Sequence, residues 1–175
     1  MKRILVLILL STVSLTLSSQ KIIESGFDKF LKKNRIETNA IILDMKLSTV
    51  LTMSIRSIDS DILVKFSGRG YPISIIGDQE KIILLLDNDS TIELKSKGVQ
   101  TYDRNGGANG LDKVFHYEYR TNENVIERLS VSKLSGVRIY FLENYSDIDI
   151  KTKKSELVNK LCNVFLQEYK KKIKQ

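Results

Sequence analysis

The sequence predicts an α+β domain, mainly β, in which an antiparallel meander forms a curved sheet or sandwich. A short helix and a C-terminal amphipathic helix pack on it. Two observations carry this. Ile82 to Leu86 is an unbroken apolar run, Asp87-Asn88-Asp89-Ser90 supplies turn formers in succession, and Thr91 to Lys95 returns with polar and apolar residues alternating. That pattern is a hairpin, placed here at the centre of the sheet. The second is the helical stripe near the C-terminus, Leu157, Leu161, Val164 and Phe165, with Val158 and Leu166 at its edges.

The chain opens Met1-Lys2-Arg3, continues without charge from Ile4 to Leu17, and ends this stretch on Ser18-Ser19-Gln20. A basic start, a short apolar run and small polar residues predict a secretory signal over residues 1–19. A membrane-spanning helix would need roughly 20 apolar residues. No cysteine stands at the cleavage point, so a lipoprotein is not expected. The mature chain from 20 to 175 is expected as one β-rich domain, since no linker rich in Pro, Gly or Ser divides it. Loss of Lys2 and Arg3 lowers the net charge from +7 to +5. Cys162 is the single cysteine, so an intramolecular disulfide is excluded and the core must hold the fold.

Within residues 21–33 the Phe27 to Leu31 segment fits helical spacing or a first strand, and strand is preferred. Ala40 to Lys46 is a strand around Ile41-Ile42-Leu43. In Thr49 to Ile58, Leu51, Met53 and Ile55 share one face, and after a turn Ile62, Val64 and Phe66 share one face of the returning strand. The polar opposite face predicts a sheet wetted on one side. Gly68 to Pro72 breaks the pattern, and Ile73 to Ile76 is a short strand or edge. Gly98 to Asp112 reads as a loop of about fifteen residues, a length that is usually functional or disordered. Val114 to Arg120 is a strand with Phe115, Tyr117 and Tyr119 on one side. Thr121 or Asn122 caps a short helix bearing Val125, Ile126 and Leu129. Strands follow over Val137 to Leu142 and Asp147 to Lys151. Thr152 or Ser155 then caps the last helix, about 153–172.

Three stretches together resemble a group of uncharacterised exported proteins common in the Bacteroidetes. They are Ile83 to Leu94, Tyr117 to Leu129, and Leu134 to Tyr140 followed by Asp149-Ile150-Lys151 and the lysine-led helix. The resemblance spans about residues 79–165. It implies a β-rich envelope domain with a packed helix, and it brings neither an activity nor site residues.

The chemistry-bearing residues are sparse. His116 is the single histidine, in an alternating strand, and reads as structural or solvent-facing. Cys162 beside the apolar stripe reads as a packed thiol. Asp87 and Asp89 offer oxygen ligands, but Ile92 stands where an EF-hand loop needs glycine, so no metal is expected. Asp147 and Asp149 read as an exposed strand edge. Gly106-Gly107-Ala108-Asn109-Gly110 lacks the GK[ST] ending of a phosphate loop. Asn105, Gly106, Gly107 and Asn109 are nevertheless the place where a ligand or partner is expected, because they add nothing to a core. Lys170, Lys171, Lys172 and Lys174 are candidates for weak membrane or anion contact.

The resulting expectation is an exported protein, periplasmic or extracellular, acting as a non-enzymatic binding or interaction module. Its partner would be an envelope protein or small ligand, with no cofactor and no nucleic acid. The alternatives are a hydrolase-like periplasmic enzyme and a membrane-surface protein using its basic tail.

Overall fold

The computed structural model describes residues 20–71, 75–104, 113–142 and 144–173. The signal segment 1–19 and the four candidate residues Asn105, Gly106, Gly107 and Asn109 lie outside them, as does Lys174. The strands are β1 (Ile22–Asp28), β2 (Lys33–Thr38), β3 (Ile41–Met45), β4 (Val50–Ile58), β5 (Asp61–Arg69), β6 (Lys81–Leu86), β7 (Thr91–Ser96), β8 (Tyr102–Arg104) and β9 (Lys113–Thr121). Helix α1 (Glu123–Val131), β10 (Leu134–Phe141), β11 (Asn144–Asp149) and helix α2 (Thr152–Ile173) complete the chain.

All these strands join one antiparallel sheet in the order β1-β2-β4-β5-β9-β7-β6-β10-β11, with β3 also on β4 and β8 also on β9. The alternation in the sequence becomes register: Met53 faces Phe66, and Phe66 faces Tyr117. Leu51, Met53, Ile55, Phe66, Tyr117 and Tyr119 are fully buried on one face. Phe66 meets Tyr119 edge to face at 6.0 Å, and Phe115 stacks on Tyr117 at 4.8 Å. Helix α2 lies over this inner face, touching β10 and β1 to β4.

Several boundaries differ from the sequence reading. β2 was not expected, because no glycine, asparagine or proline marks the turn before it. There the Asp28 carboxylate accepts the N–H groups of Phe30 (2.9 Å) and Leu31 (3.0 Å), and Lys32 takes a φ of 53°. β5 continues through Gly68 to Arg69, since Gly68 leaves room for the Phe115 ring; an added Cβ would stand 2.7 Å from it. The loop expected over 98–112 is strand in part, with Tyr102 to Arg104 paired to Phe115 to Lys113. Of the short strand expected at 73–76, Ile76 forms an isolated bridge with Gln100, and 73–74 lie outside the described residues. β10 begins earlier, at Leu134, and β11 lies nearer the N-terminus, at Asn144–Asp149.

Both helices bury the faces their spacing requires, with one rotation. Asn122 caps α1, its side chain accepting from Val125 N at 3.1 Å, and Ile126 and Leu129 are buried. In α2 the buried line is Val158, Leu161, Cys162, Phe165, Leu166 and Tyr169, while Leu157 and Val164 are half-buried. Thr152 is the first helical residue, and the N–H groups of Lys154 and Ser155 go to the Lys151 carbonyl. The Ser155 hydroxyl is buried without a hydrogen-bond partner, so it does not cap the helix. Asn159 of α2 donates to the Leu129 (2.6 Å) and Ser132 (2.7 Å) carbonyls, satisfying the end of α1.

The ladder between β7 and β9 is short, with register pairs at Lys95–Arg120 and Ser96–Tyr119. Gln100 extends it with a side chain. Its carboxamide accepts the Glu118 N–H at 2.6 Å and donates to the Glu118 carbonyl and Ser96 Oγ at 2.8 Å each. Its own backbone is held by Ile76 in both directions, at 2.8 and 2.9 Å. Gln100→Ala leaves a strand amide without its partner and is expected to destabilise by about 1–3 kcal/mol. Gln100→Glu keeps the acceptor but turns a carboxylate oxygen toward the Glu118 carbonyl in place of the N–H, and should cost at least as much. Urea unfolding of the two variants checks both the loss and the order.

Candidate functional site

With α2 on the inner face, the outer face of β7, β6, β10 and β11 carries no helix among the described residues. Two cross-strand rows define it. In one, Thr91 faces Leu85, Leu85 faces Gly136 and Gly136 faces Asp149; in the next, Glu93, Ile83, Arg138 and Asp147 stand in line. Gly136 puts no side chain between Leu85 and Asp149, which opens a shallow cleft of about 330 Å³. Ile83 and Leu85 make its apolar floor, and Leu85 keeps 39% of its surface exposed. An added Cβ at Gly136 would meet only ordinary contacts, 3.6 Å from Leu85 Cβ, so the backbone would accept a larger residue.

One wall of the cleft is a fixed ion pair. Arg138 donates to both oxygens of Asp147, Nε and Nη2 each at 2.6 Å, a bidentate geometry that sets the plane of both groups. The guanidinium also lies 4.2 Å from the centre of the Tyr145 ring. Tyr140 packs beside Tyr145 at 5.9 Å, and Lys81 sits 5.7 Å over Tyr140 while pairing with Glu93 at 2.7 Å. The cleft therefore offers an apolar floor next to an oriented charge pair and two tyrosines. Such a surface can bind.

Comparison with protein-family models, curated proteins and solved structures finds no match.

His116 and Ser67 are cross-strand partners on the outer face, with Nδ1 2.8 Å from Ser67 Oγ. A serine and an imidazole in hydrogen-bond reach are the beginning of a nucleophile and base. However, β5 and β9 are interior strands here, so their amides serve the ladder and are not free to gather around a reacting oxygen. Cys162 is fully buried in α2, and burial pushes its thiol up to about 12, far from the thiolate needed for attack. At the β6–β7 turn, Asn88 Oδ1 accepts from Ser90 N and Oγ, and Asp87 Oδ1 accepts from Lys133 N. Those side chains serve the turn. Among the described residues no three His, Cys, Asp or Glu side chains gather into a possible metal site.

The lysine candidates divide. Lys170 reaches α1, with Glu127 at 2.7 Å and Glu123 at 3.3 Å, and Lys171 lies 3.5 Å from Glu168 on its own helix. Lys172 is half-exposed. Among the described residues no helix is long and apolar enough to cross a membrane. The cleft itself was missed in the sequence reading. Its one signal was Gly136 inside an otherwise clear strand pattern, which marks close approach or open space.

The Arg138 guanidinium holds the Asp147 carboxyl below its usual 3.8. With the folded value depressed, the pair is intact above 3.8 and is lost only as pH falls through the lower folded value. Carboxyl NMR titration should place Asp147 below 3.8, and Arg138→Met should return it toward that value.

Proposed function

We propose that this chain is a non-enzymatic binding module exported to the periplasm or cell exterior. The leader-like Met1 to Gln20 segment supports export, and the open-face cleft supports binding. The observation that carries the reading is the row Leu85–Gly136–Asp149, where a missing side chain exposes an apolar floor beside the bidentate Arg138–Asp147 pair. Tyrosine and arginine are the residues that most often anchor recognition surfaces. The Arg138 charge is already paired with Asp147, so it needs little reordering on binding. The occupant is an envelope protein segment or a small ligand that sets an apolar group on Ile83 and Leu85 and a polar group on the pair.

The decisive experiment is native mass spectrometry of the chain isolated gently from its host envelope, wild type against Gly136→Leu. An added mass on wild type, lost on denaturation and absent from a stably folded Gly136→Leu protein, is expected. A bare wild-type chain, or equal loading of the variant, would remove the cleft as the site.

A second reading, a hydrolase, rests on the Ser67–His116 contact at 2.8 Å. Among the described residues no amides gather to stabilise an oxyanion, so a fluorophosphonate probe should leave Ser67 unlabelled. Covalent labelling of Ser67 that disappears in His116→Gln would instead favour the enzyme.

A further inference from the structure

The turn between β1 and β2 presents apolar side chains to water in an unusual concentration. Phe30 is fully exposed at 100%, Phe27 at 58% and Leu31 at 55%, all within five consecutive residues. Single exposed apolar residues are ordinary, whereas a cluster at one projecting tip marks a contact surface. Lys29, Lys32 and Lys33 are exposed among them.

The tip is held in this outward shape. Asp28 Oδ1 accepts the N–H groups of both Phe30 and Leu31, and Asp28 Oδ2 lies 3.6 Å from Arg35. The two backbone hydrogen bonds, the Leu31 one foremost, and the nearby Arg35 keep the Asp28 carboxyl ionised below its usual range. The single acid within residues 27–33 is thus spent inside the turn, and the outward charge of that segment is that of the lysines; on the neighbouring β4–β5 turn Asp59 accepts the Asn34 N–H at 2.8 Å. Lys32 with φ 53° then reverses the chain into β2. Apolar side chains at the apex with cations around them match the layering of an anionic bilayer: acyl chains below, phosphate above. The β3–β4 turn also exposes Met45 and Leu47, but there Lys46 lies 3.7 Å from Asp44 and the basic collar is missing.

We propose that the β1–β2 tip is a membrane-surface anchor that inserts Phe30 and Leu31 into the interface of an anionic lipid bilayer, with Lys29, Lys32 and Lys33 on the headgroups. On α2, Lys170 is already held by Glu123 and Glu127, and Lys171 lies 3.5 Å from Glu168, so these two are less free for headgroups. The anchor is independent of the cleft, which lies across the sheet toward β11, so each can fail without the other.

The chain has no tryptophan, so Phe30→Trp places a sole indole reporter at the apex. The protein is taken in the form its host accumulates and mixed with phosphatidylethanolamine–phosphatidylglycerol vesicles. The indole emission of the Phe30→Trp protein should shift to the blue and be quenched by brominated acyl chains, and phosphatidylcholine vesicles should give little of either. Phe30→Ser with Leu31→Ser should weaken vesicle partitioning by roughly tenfold or more, since both side chains lose their apolar burial. Lys29→Gln, Lys32→Gln and Lys33→Gln together should weaken it by about tenfold at low salt and remove most of its salt dependence. Thermal unfolding should be unchanged in all these variants because the replaced side chains are exposed, and Lys170→Gln with Lys171→Gln should partition as wild type. The proposal is overturned if the indole stays in water with vesicles present, or if the double-serine variant partitions like wild type. A blue shift that needs no lipid and grows with protein concentration would also overturn it, showing a second copy at the tip.

Discussion

The sheet depends on the seam between β9 and β7. On one side lie β1, β2, β4 and β5, built on the β4–β5 hairpin; on the other lie β6, β10 and β11, built on the β6–β7 hairpin. Among the described residues only the Lys95–Arg120 and Ser96–Tyr119 pairs join them by regular ladder. The reason is directional. After Tyr119 and Arg120, β9 must leave the sheet to start α1 at Asn122, and after Ser96 the chain must leave β7 to reach β8 farther along β9. Gln100 fills the interval with a carboxamide, which carries the same donor and acceptor as a peptide group and can therefore stand in for one. Lys97 N–H adds a bond of 2.9 Å to the Glu118 carbonyl. The Glu118 side chain, on the outer face, meanwhile collects Arg56 at 2.7 Å and Lys97 at 3.1 Å. One residue of β9 is thus tied to β4, to the chain after β7 and to Gln100.

Helix α2 bridges the two halves from the other face. It touches β10 on one side and β1 to β4 on the other, so its buried line spans both halves of the sheet. Phe165, Cys162 and Leu161 are fully buried, whereas β-sheet hydrogen bonding is thin where the two halves meet. Apolar burial over the inner face does what the ladder does elsewhere. It also leaves the outer face free, and the cleft and the charged rows occur there.

Much of this was legible in the sequence where one rule acted alone. Leu51, Met53 and Ile55, or Phe115, Tyr117 and Tyr119, alternate cleanly, and each set is buried on one face. A cap at Thr121 or Asn122 before a short apolar helix was legible because capping is local chemistry, and Asn122 is the residue that caps. The unread parts depend on partners distant in sequence. β2 carries Lys33, Asn34 and Arg35 at its start, and nothing local shows that β4 will receive it or that Asp28 will make its turn. The rotation of the α2 stripe toward Cys162 follows from what the sheet offers, not from helical spacing, which accepts either line. The order β5-β9-β7 could not be read at all, since hairpin signals report neighbours in sequence and β9 inserts between two hairpins.

The candidate site was illegible for a related reason. A catalytic motif announces itself through residue types at fixed spacing, but a cleft made by Gly136 exists only once Leu85 and Asp149 stand on either side of it. Arg138 and Asp147 are nine positions apart and read separately as surface charges. Register turns them into a bidentate pair, and the same register places Tyr140 opposite Tyr145. The pairing has a cost in specificity, because an ion pair closed on itself attracts free ions weakly. Its use is orientation: two N–H···O bonds and the Tyr145 ring favour one guanidinium plane before any partner arrives. A surface of that kind gains selectivity from shape and from the Ile83–Leu85 floor more than from net charge. That separates it physically from the β1–β2 tip, where Lys29, Lys32 and Lys33 are left without such fixed geometry and suit a partner that is charged but fluid.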